Sequence, residues 1–408
     1  MEYLVIAYTI LMSGTIIGWE IPFGAVIQFV LSIGLLCIKR KHILAKKSLR
    51  MALISCGILA ANILLTSSAE ALLLYYNMFC SLISVAIIAS VVPQKEFTRK
   101  YVNIMCFLGV CSVILWALAQ MGGVLFAKNL VAVNGKAYRL NLLYVYRTHE
   151  SVLGLNAINK RNQGMFWEPG AYQGYLNLAL MFELFSNEKI QNPKGYRTKL
   201  LVLIVTILST QSTAGYMVLT LIIMTFYFSK VYNGKITLKI VLITMAILTG
   251  VVALMSSSVV QNKFMEDNSG YDSYLERLND NLGGIKAALV SPIIGLGFNS
   301  ERYDRVLLSY GITANSSSIL MILQQFGLVA GTAILVRMGI GLWKMIRVRG
   351  FALVLYAGIF ILMMSMEAFV SKPVFMLFFF DFIRINRKKE LKQRKLSRLN
   401  IRWHLMKK

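Results

Sequence analysis

Ten residues ahead of a long apolar stretch concentrate the chemistry of this chain: Arg161-Asn-Gln-Gly-Met-Phe-Trp167-Glu168-Pro169-Gly170. Proline is suited to the first turn of a helix, so Glu168 falls at the positive end of a helix dipole, where an ionised carboxylate is favoured. A carboxylate so placed can accept a proton from a hydroxyl or orient it. The guanidinium of Arg161 can grip phosphate oxygens through two parallel hydrogen bonds and stays charged when buried. The same residues also describe a plain helix start with an interfacial Trp167 and a surface arginine. Their company favours chemistry. Asp272 to Leu289 reads as an amphipathic helix with Tyr274, Leu278, Leu282 and Ile285 on one face and Arg277 among them. A glycine-punctuated loop follows, Ser291-Pro-Ile-Ile-Gly-Leu-Gly-Phe-Asn299-Ser, and then Arg302 and Tyr303. Arg147, Tyr172 and Ser212 complete the candidate binding set. Arginines, a carboxylate and flexible backbone suit an anionic pyrophosphate leaving group better than a neutral transported solute.

The elements that must position these groups are membrane helices. Of the 408 residues, 57% are apolar and only 15% charged, and the mean hydropathy is +0.63. Soluble domains run nearer 45–50% apolar and about 25% charged. The apolar residues come in blocks near the ~20 residues of a bilayer crossing. Twelve crossings are expected, at about 3–18, 21–38, 51–66, 71–92, 101–121, 168–185, 199–210, 213–229, 240–256, 315–336, 350–366 and 371–383. The expected class is an all-α polytopic membrane protein: one transmembrane domain over 1–383, with longer external loops at about 122–167 and 257–314. A basic cytoplasmic tail follows over 384–408. Met-Glu-Tyr at the start lacks the basic region of a signal peptide, so an uncleaved first helix is expected.

Charge supplies the orientation. With both termini cytoplasmic, 31 of the 43 Lys and Arg fall in cytoplasmic segments, eleven of them in the tail, as the positive-inside rule requires. Six of the 18 acids fall inside, so the whole +25 net charge is cytoplasmic and the external face is neutral. The basic character therefore reports orientation and contact with anionic lipid, not nucleic acid. The vertex Ser209-Thr-Gln-Ser-Thr-Ala-Gly215 between two short apolar runs is nearly all hydroxyl or amide. Polar backbone at membrane depth must be enclosed by protein or face a watery cavity, so the vertex is expected to dip inward and line an outward-opening cavity. The five cysteines form no CxxC pair, and His149 is the one external histidine. No metal, disulfide framework or cofactor is expected.

Four stretches in order, RNQGMFWEPG, LSTQSTAGY, SPIIGLGFNS and NSSSILMILQQFGLVAG, resemble the Wzy-type O-antigen polymerases within the bacterial O-antigen polymerase and ligase family. The resemblance implies a fold like that of the C-type (GT-C) glycosyltransferases, in the bacterial plasma membrane. It implies a metal-independent glycosyltransferase that polymerises undecaprenyl-pyrophosphate-linked oligosaccharide at the outer face. Arg161 and Arg277 match the family's external arginines and would hold the pyrophosphate; Glu168 matches its EPG carboxylate. A chain-length regulator is a candidate partner. The ligases carry an external histidine where this chain reads Asn315-Ser-Ser-Ser, which favours the polymerase over the ligase. A flippase or transporter is the rival from another class, fitted by the dipped vertex and opposed by the lack of internal repeats; a non-catalytic membrane scaffold is a further one.

Overall fold

The computed structural model describes residues 1–39, 46–66, 72–120, 129–133, 136–141, 143–150, 156–158, 161–186, 192–231, 269–298, 300–312 and 317–383. The expected crossing at 240–256 and the basic tail at 384–408 lie outside them. The described residues are mostly helical. In chain order the helices are α1 (Glu2–Leu11), α2 (Ile16–Glu20), α3 (Gly24–Ile38), α4 (Lys46–Thr66), α5 (Leu72–Val91), α6 (Gln94–Gln120), α7 (Pro169–Leu184), α8 (Pro193–Ser209) and α9 (Thr213–Val231). After them come α10 (Ser269–Val290), α11 (Glu301–Ser309), α12 (Ser318–Ile346), α13 (Phe351–Met366) and the short α14 (Pro373–Met376). Among the described residues four helices, α5, α6, α9 and α12, are long and apolar enough to cross a membrane. Their outward faces are greasy: on α6, Phe107, Val110, Ile114 and Leu118 recur at helical spacing and are all exposed. An apolar stripe of this kind faces lipid, not water. Hydroxyls inside the helices bond back one turn, Thr9 to the Val5 carbonyl and Ser84 to the Cys80 carbonyl, so they are satisfied without solvent.

Charges mark one end of the bundle. Glu2 pairs with Lys39 and Lys100, and Lys100 also with Glu96. Gln94 reaches the Met345 carbonyl, and Lys344 pairs with Asp381 at 2.7 Å. The starts of α1 and α6 thus lie beside the ends of α3 and α12.

Three departures from the expected helices are informative. The first expected crossing is broken at Met12–Thr15 into α1 and α2. The last, 371–383, is not a regular helix: α14 passes into a 3-10 turn (Leu377–Phe379) and then extended chain. This segment is buried, with Val374, Leu377 and Phe378 at 0% exposure. It runs from Ser13, whose hydroxyl accepts the Val374 amide, to Ala89, whose carbonyl accepts the Ile383 amide. Irregular backbone at such depth survives because protein encloses it. Third, the loop expected at 122–167 contains a four-stranded antiparallel sheet, β1 (Asn129–Val133), β2 (Lys136–Asn141), β3 (Tyr144–Glu150) and β4 (Asn156–Ile158) in that order.

The expected amphipathic helix is α10. Leu278, Leu282 and Ile285 are exposed, while Gly283, Gly284, Ala287 and Ala288 are buried. A Cβ on Gly284 would stand 2.8 Å from Leu320 of α12, so glycine lets the two helices close. Helix α12 itself is broken at Gly327 (φ 78, ψ 170). The carbonyls freed there are taken up by neighbours: Gln324 accepts the Leu296 amide at 2.7 Å, and Gln325 accepts the Gly297 amide at 3.1 Å and the Asn62 side chain at 2.9 Å. Leu328 donates to the Pro292 carbonyl at 2.7 Å. The loop SPIIGLGFNS and the QQFG break are therefore two halves of one hydrogen-bonded unit, as backbone away from water demands.

Candidate functional site

At the end of the bundle opposite the basic one, three breaks in apolar sequence meet. They are the Met12–Thr15 turn, the segment 161–170, and the stretch 367–374. Thr15 bridges Phe166, and the Ile16 amide donates to the Met165 carbonyl at 2.9 Å. Tyr175 of α7 donates to the Ser13 carbonyl. Ser318, at the start of α12, accepts the Phe369 and Val370 amides at 2.6 and 3.1 Å. The small sheet clamps the same junction: Val145 donates to the Gly164 carbonyl at 2.7 Å, and the Tyr138 hydroxyl to the Trp167 carbonyl at 3.0 Å.

Segment 161–164 is stitched to the polar vertex between α8 and α9. The Asn162 amide group donates to Ser209 Oγ at 2.9 Å and Ser112 Oγ at 3.2 Å, and its oxygen accepts the Gly164 amide. Arg161 Nε donates to the Thr210 carbonyl at 3.2 Å. The vertex turns at Gln211, in the left-handed region (φ 48). Thr210 and Ser212 are buried, and Gln211, Thr213 and Ala214 half-buried, so the vertex is covered in part. Arg161 is half-buried beside it.

Helix α7 starts as its sequence dictates, with Pro169 in the first turn and Glu168 as the residue before it; the Glu168 side chain makes no capping bond to α7. A second carboxylate closes on the same turn. Glu367 is 2% exposed, and its Oε1 would stand 2.7 Å from a Cβ on Gly170, with Ser212 Oγ at 3.9 Å from the same point. A side chain at 170 would have to displace the Glu367 carboxylate. One turn on, the Gln173 side chain packs on Gly215, fully buried, with neither amide atom hydrogen-bonded. A buried amide with no partner costs on the order of 1–3 kcal/mol.

Beside this cluster Trp19 and Trp167 stack at 5.7 Å between ring centroids. The Lys372 ammonium lies 5.3 Å from the first ring and 5.1 Å from the second. Trp167 is seated on Gly14, where a Cβ would stand 2.0 Å from the indole and where φ is +97°. Gly14→Ala is expected to push Trp167 out of its place and to strain the turn by about 1 kcal/mol or more. A shifted tryptophan emission maximum with a lowered Tm checks this; spectra and Tm equal to those of the parent protein would refute it.

The residues singled out from sequence thus separate. Arg161, Glu168 and Ser212 come together at the start of α7. Tyr172 lies behind them, fully buried, its ring stacked on Phe166 and its hydroxyl 3.0 Å from Ser112 Oγ, so it supports the segment and faces no opening. Tyr303 sits in a small separate core with Ala287, Leu296, Leu307 and Ile312, and Arg302 is exposed beside it. Arg147 is on β3, in register with Tyr138, and Arg277 is on α10; their side chains, and Asn299 entirely, lie outside the described residues. Sequence reasoning counted Glu367 among the external acids without giving it a role and passed over Lys372, although these are the only charges between 351 and 380; it also passed over Trp19 and Gln173. Among the described residues no group of histidine, cysteine or carboxylate side chains could hold a metal ion.

Compared with protein-family models and with curated proteins, the chain matches none of either.

Proposed function

We propose that this protein is a membrane glycosyltransferase that polymerises undecaprenyl-pyrophosphate-linked oligosaccharide repeat units at the outer face of a bacterial plasma membrane. The observation that carries the reading is the junction at the start of α7. Arg161, Glu168, Ser212 and Glu367 gather there, at the opposite end of an apolar bundle from the basic residues. With the basic end cytoplasmic, the junction faces outward. The twelve-crossing plan and its likeness to C-type glycosyltransferases belong to the same proposal, with the last passage made by the buried 367–383 segment. The exposed stripe of α10 would then rest on the outer leaflet.

In the mechanism, an acceptor sugar hydroxyl attacks the anomeric carbon of the donor glycan. The new glycosidic C–O bond forms as the bond to the pyrophosphate oxygen breaks, and undecaprenyl pyrophosphate leaves with the electron pair. Glu168 takes the hydroxyl proton, while Arg161, with Arg277, neutralises the charge that grows on the leaving group. Fixed cations aimed at developing charge are usually the largest catalytic contribution.

The test is a deletion in the native host, complemented by the wild-type or the Glu168→Gln chain, with surface glycan resolved on a gel. The wild-type chain is expected to restore a long ladder, and the empty strain to leave single repeat units on lipid A–core. Core without any repeat unit would point instead to a ligase or flippase, and an unchanged ladder would end the glycan reading. Glu168→Gln at normal protein level is expected to lose the ladder; unchanged polymer would remove Glu168 as the base.

A further inference from the structure

Lys372 has a peculiar setting. Its ammonium rests against two stacked indoles, and among the described residues no carboxylate lies within ion-pair distance of it. Glu367 acts on it only from further off, by charge. Of the other described lysines, Lys39, Lys100 and Lys344 close on a carboxylate, and Lys230 rests on one ring, that of Phe226, at 5.4 Å; Lys372 is set against two. Indole faces hold a cation without accepting conventional hydrogen bonds from it. Among the described residues nothing takes the N–H donors of Lys372, which are left for another partner. The chain also invests in keeping this group where it is: Gly14 makes room for Trp167, Ser13 and Ser318 pin the backbone on either side of residue 372, and Trp167 is covalently next to Glu168. Lys372 is half-buried, and a strongly hydrated ammonium partly withdrawn from water is stabilised when an anion joins it.

We propose that Lys372 is a diphosphate-binding cation of the candidate site, presented by the Trp19–Trp167 pair. This rests on the glycosyltransferase reading above and adds to it a cation outside the 161–170 segment. The indoles hold the ammonium by its charge while its N–H groups turn to phosphate oxygens, and Glu367 sets the limit on how far the local field can become positive. The ligand is the lipid-linked diphosphate, and free diphosphate shares its chemistry.

Two probes separate these sources and separate the proposal from the reading beneath it. The full-length protein in detergent is titrated with farnesyl diphosphate and with inorganic diphosphate, following tryptophan fluorescence, since the ligand would meet Lys372 against two of the five tryptophans. Saturable binding of farnesyl diphosphate is expected. Lys372→Met should weaken it on the order of 10- to 100-fold, the usual loss for one charge-assisted contact. Lys372→Arg should stay within a few-fold, which guards against a mere folding defect, and Lys286→Met on the exposed face of α10 should bind as the wild type does. Equal affinity in folded Lys372→Met would overturn the proposal, leaving the lysine a structural clamp. Binding of inorganic diphosphate alone would overturn the lipid-linked assignment, and no binding of either probe by the wild type would bring down the reading on which it rests.

Discussion

Arg161→Lys is expected to slow polymer formation by roughly two to three orders of magnitude, the cost typical of losing one fixed donor aimed at developing charge, with the protein still present in the membrane at the parent level. The substitution keeps the positive charge, so its effect isolates geometry. In the structure the Nε of Arg161 is already committed to the Thr210 carbonyl at 3.2 Å, which fixes the plane of the guanidinium against the buried vertex. The Tyr216 hydroxyl lies within electrostatic reach of the same group. A guanidinium can hold that carbonyl with one edge and offer its terminal N–H groups to phosphate oxygens with the other. An ammonium on a flexible stem has to choose between them. Either choice loses: released from Thr210 it is unplaced, and held there it no longer reaches the leaving group. The measurement is the rate at which long polymer reappears when the variant is induced in a deletion strain, normalised to protein level. Polymer accumulating at the parent rate would show that the fork is irrelevant and that Arg161 is a structural tie.

Part of this site was legible in sequence because the local rules are strong. Proline after a carboxylate at the head of an apolar run places Glu168 before the first turn of α7, and it stands there. A vertex of hydroxyls and amides between short apolar runs must be covered, and Thr210 and Ser212 are. What could not be read is which distant backbone meets which. Gly295, Gly297 and Gly327 announce unusual φ values, but nothing in their spacing says that the first two approach the carbonyls freed at the third. The sheet at 129–158 had a visible trace: Asn134-Gly135 separates two segments of alternating character, the pattern of a hairpin. It was hidden by the expectation that everything in so apolar a chain is helix or loop. Glu367 and Lys372 were hidden for a related reason. A run such as Pro-Val-Phe-Met-Leu-Phe-Phe-Phe (373–380) has no period to distinguish a lipid-facing helix from a buried irregular segment. Its thirteen residues at 371–383 are too few to cross as a helix at ~1.5 Å per residue, and that was the signal.

Gly341→Val is expected to cost the folded state more than any other single substitution considered, and the reason lies in that buried segment. A Cβ on Gly341 would stand 1.7 Å from the Phe378 carbonyl oxygen and 2.7 Å from its carbon. The obstacle is backbone, which cannot rotate away as a side chain can. On both sides the helix is packed, with Met338 and Leu342 almost fully buried. Overpacking of an ordinary core costs about 1–3 kcal/mol. Here α12 must also move off a chain segment whose peptide groups depend on enclosure, and each group opened to lipid adds several kcal/mol. The displacement runs along the segment in both directions, to the Asp381 ion pairs with Arg337 and Lys344 at one end and to Glu367 and Lys372 at the other. Gly57→Val is the comparison, since nothing stands within 4 Å of a Cβ there and the two changes carry the same small gain of helix propensity. Purified in parallel, the Gly57 variant is expected to elute as a single species with a Tm within a few degrees of the parent. The Gly341 variant is expected to aggregate or to melt far below it. Equal behaviour of the two would mean that residues 377–380 do not pass against α12, and with that the path that carries Lys372 to the start of α7 would have to be redrawn.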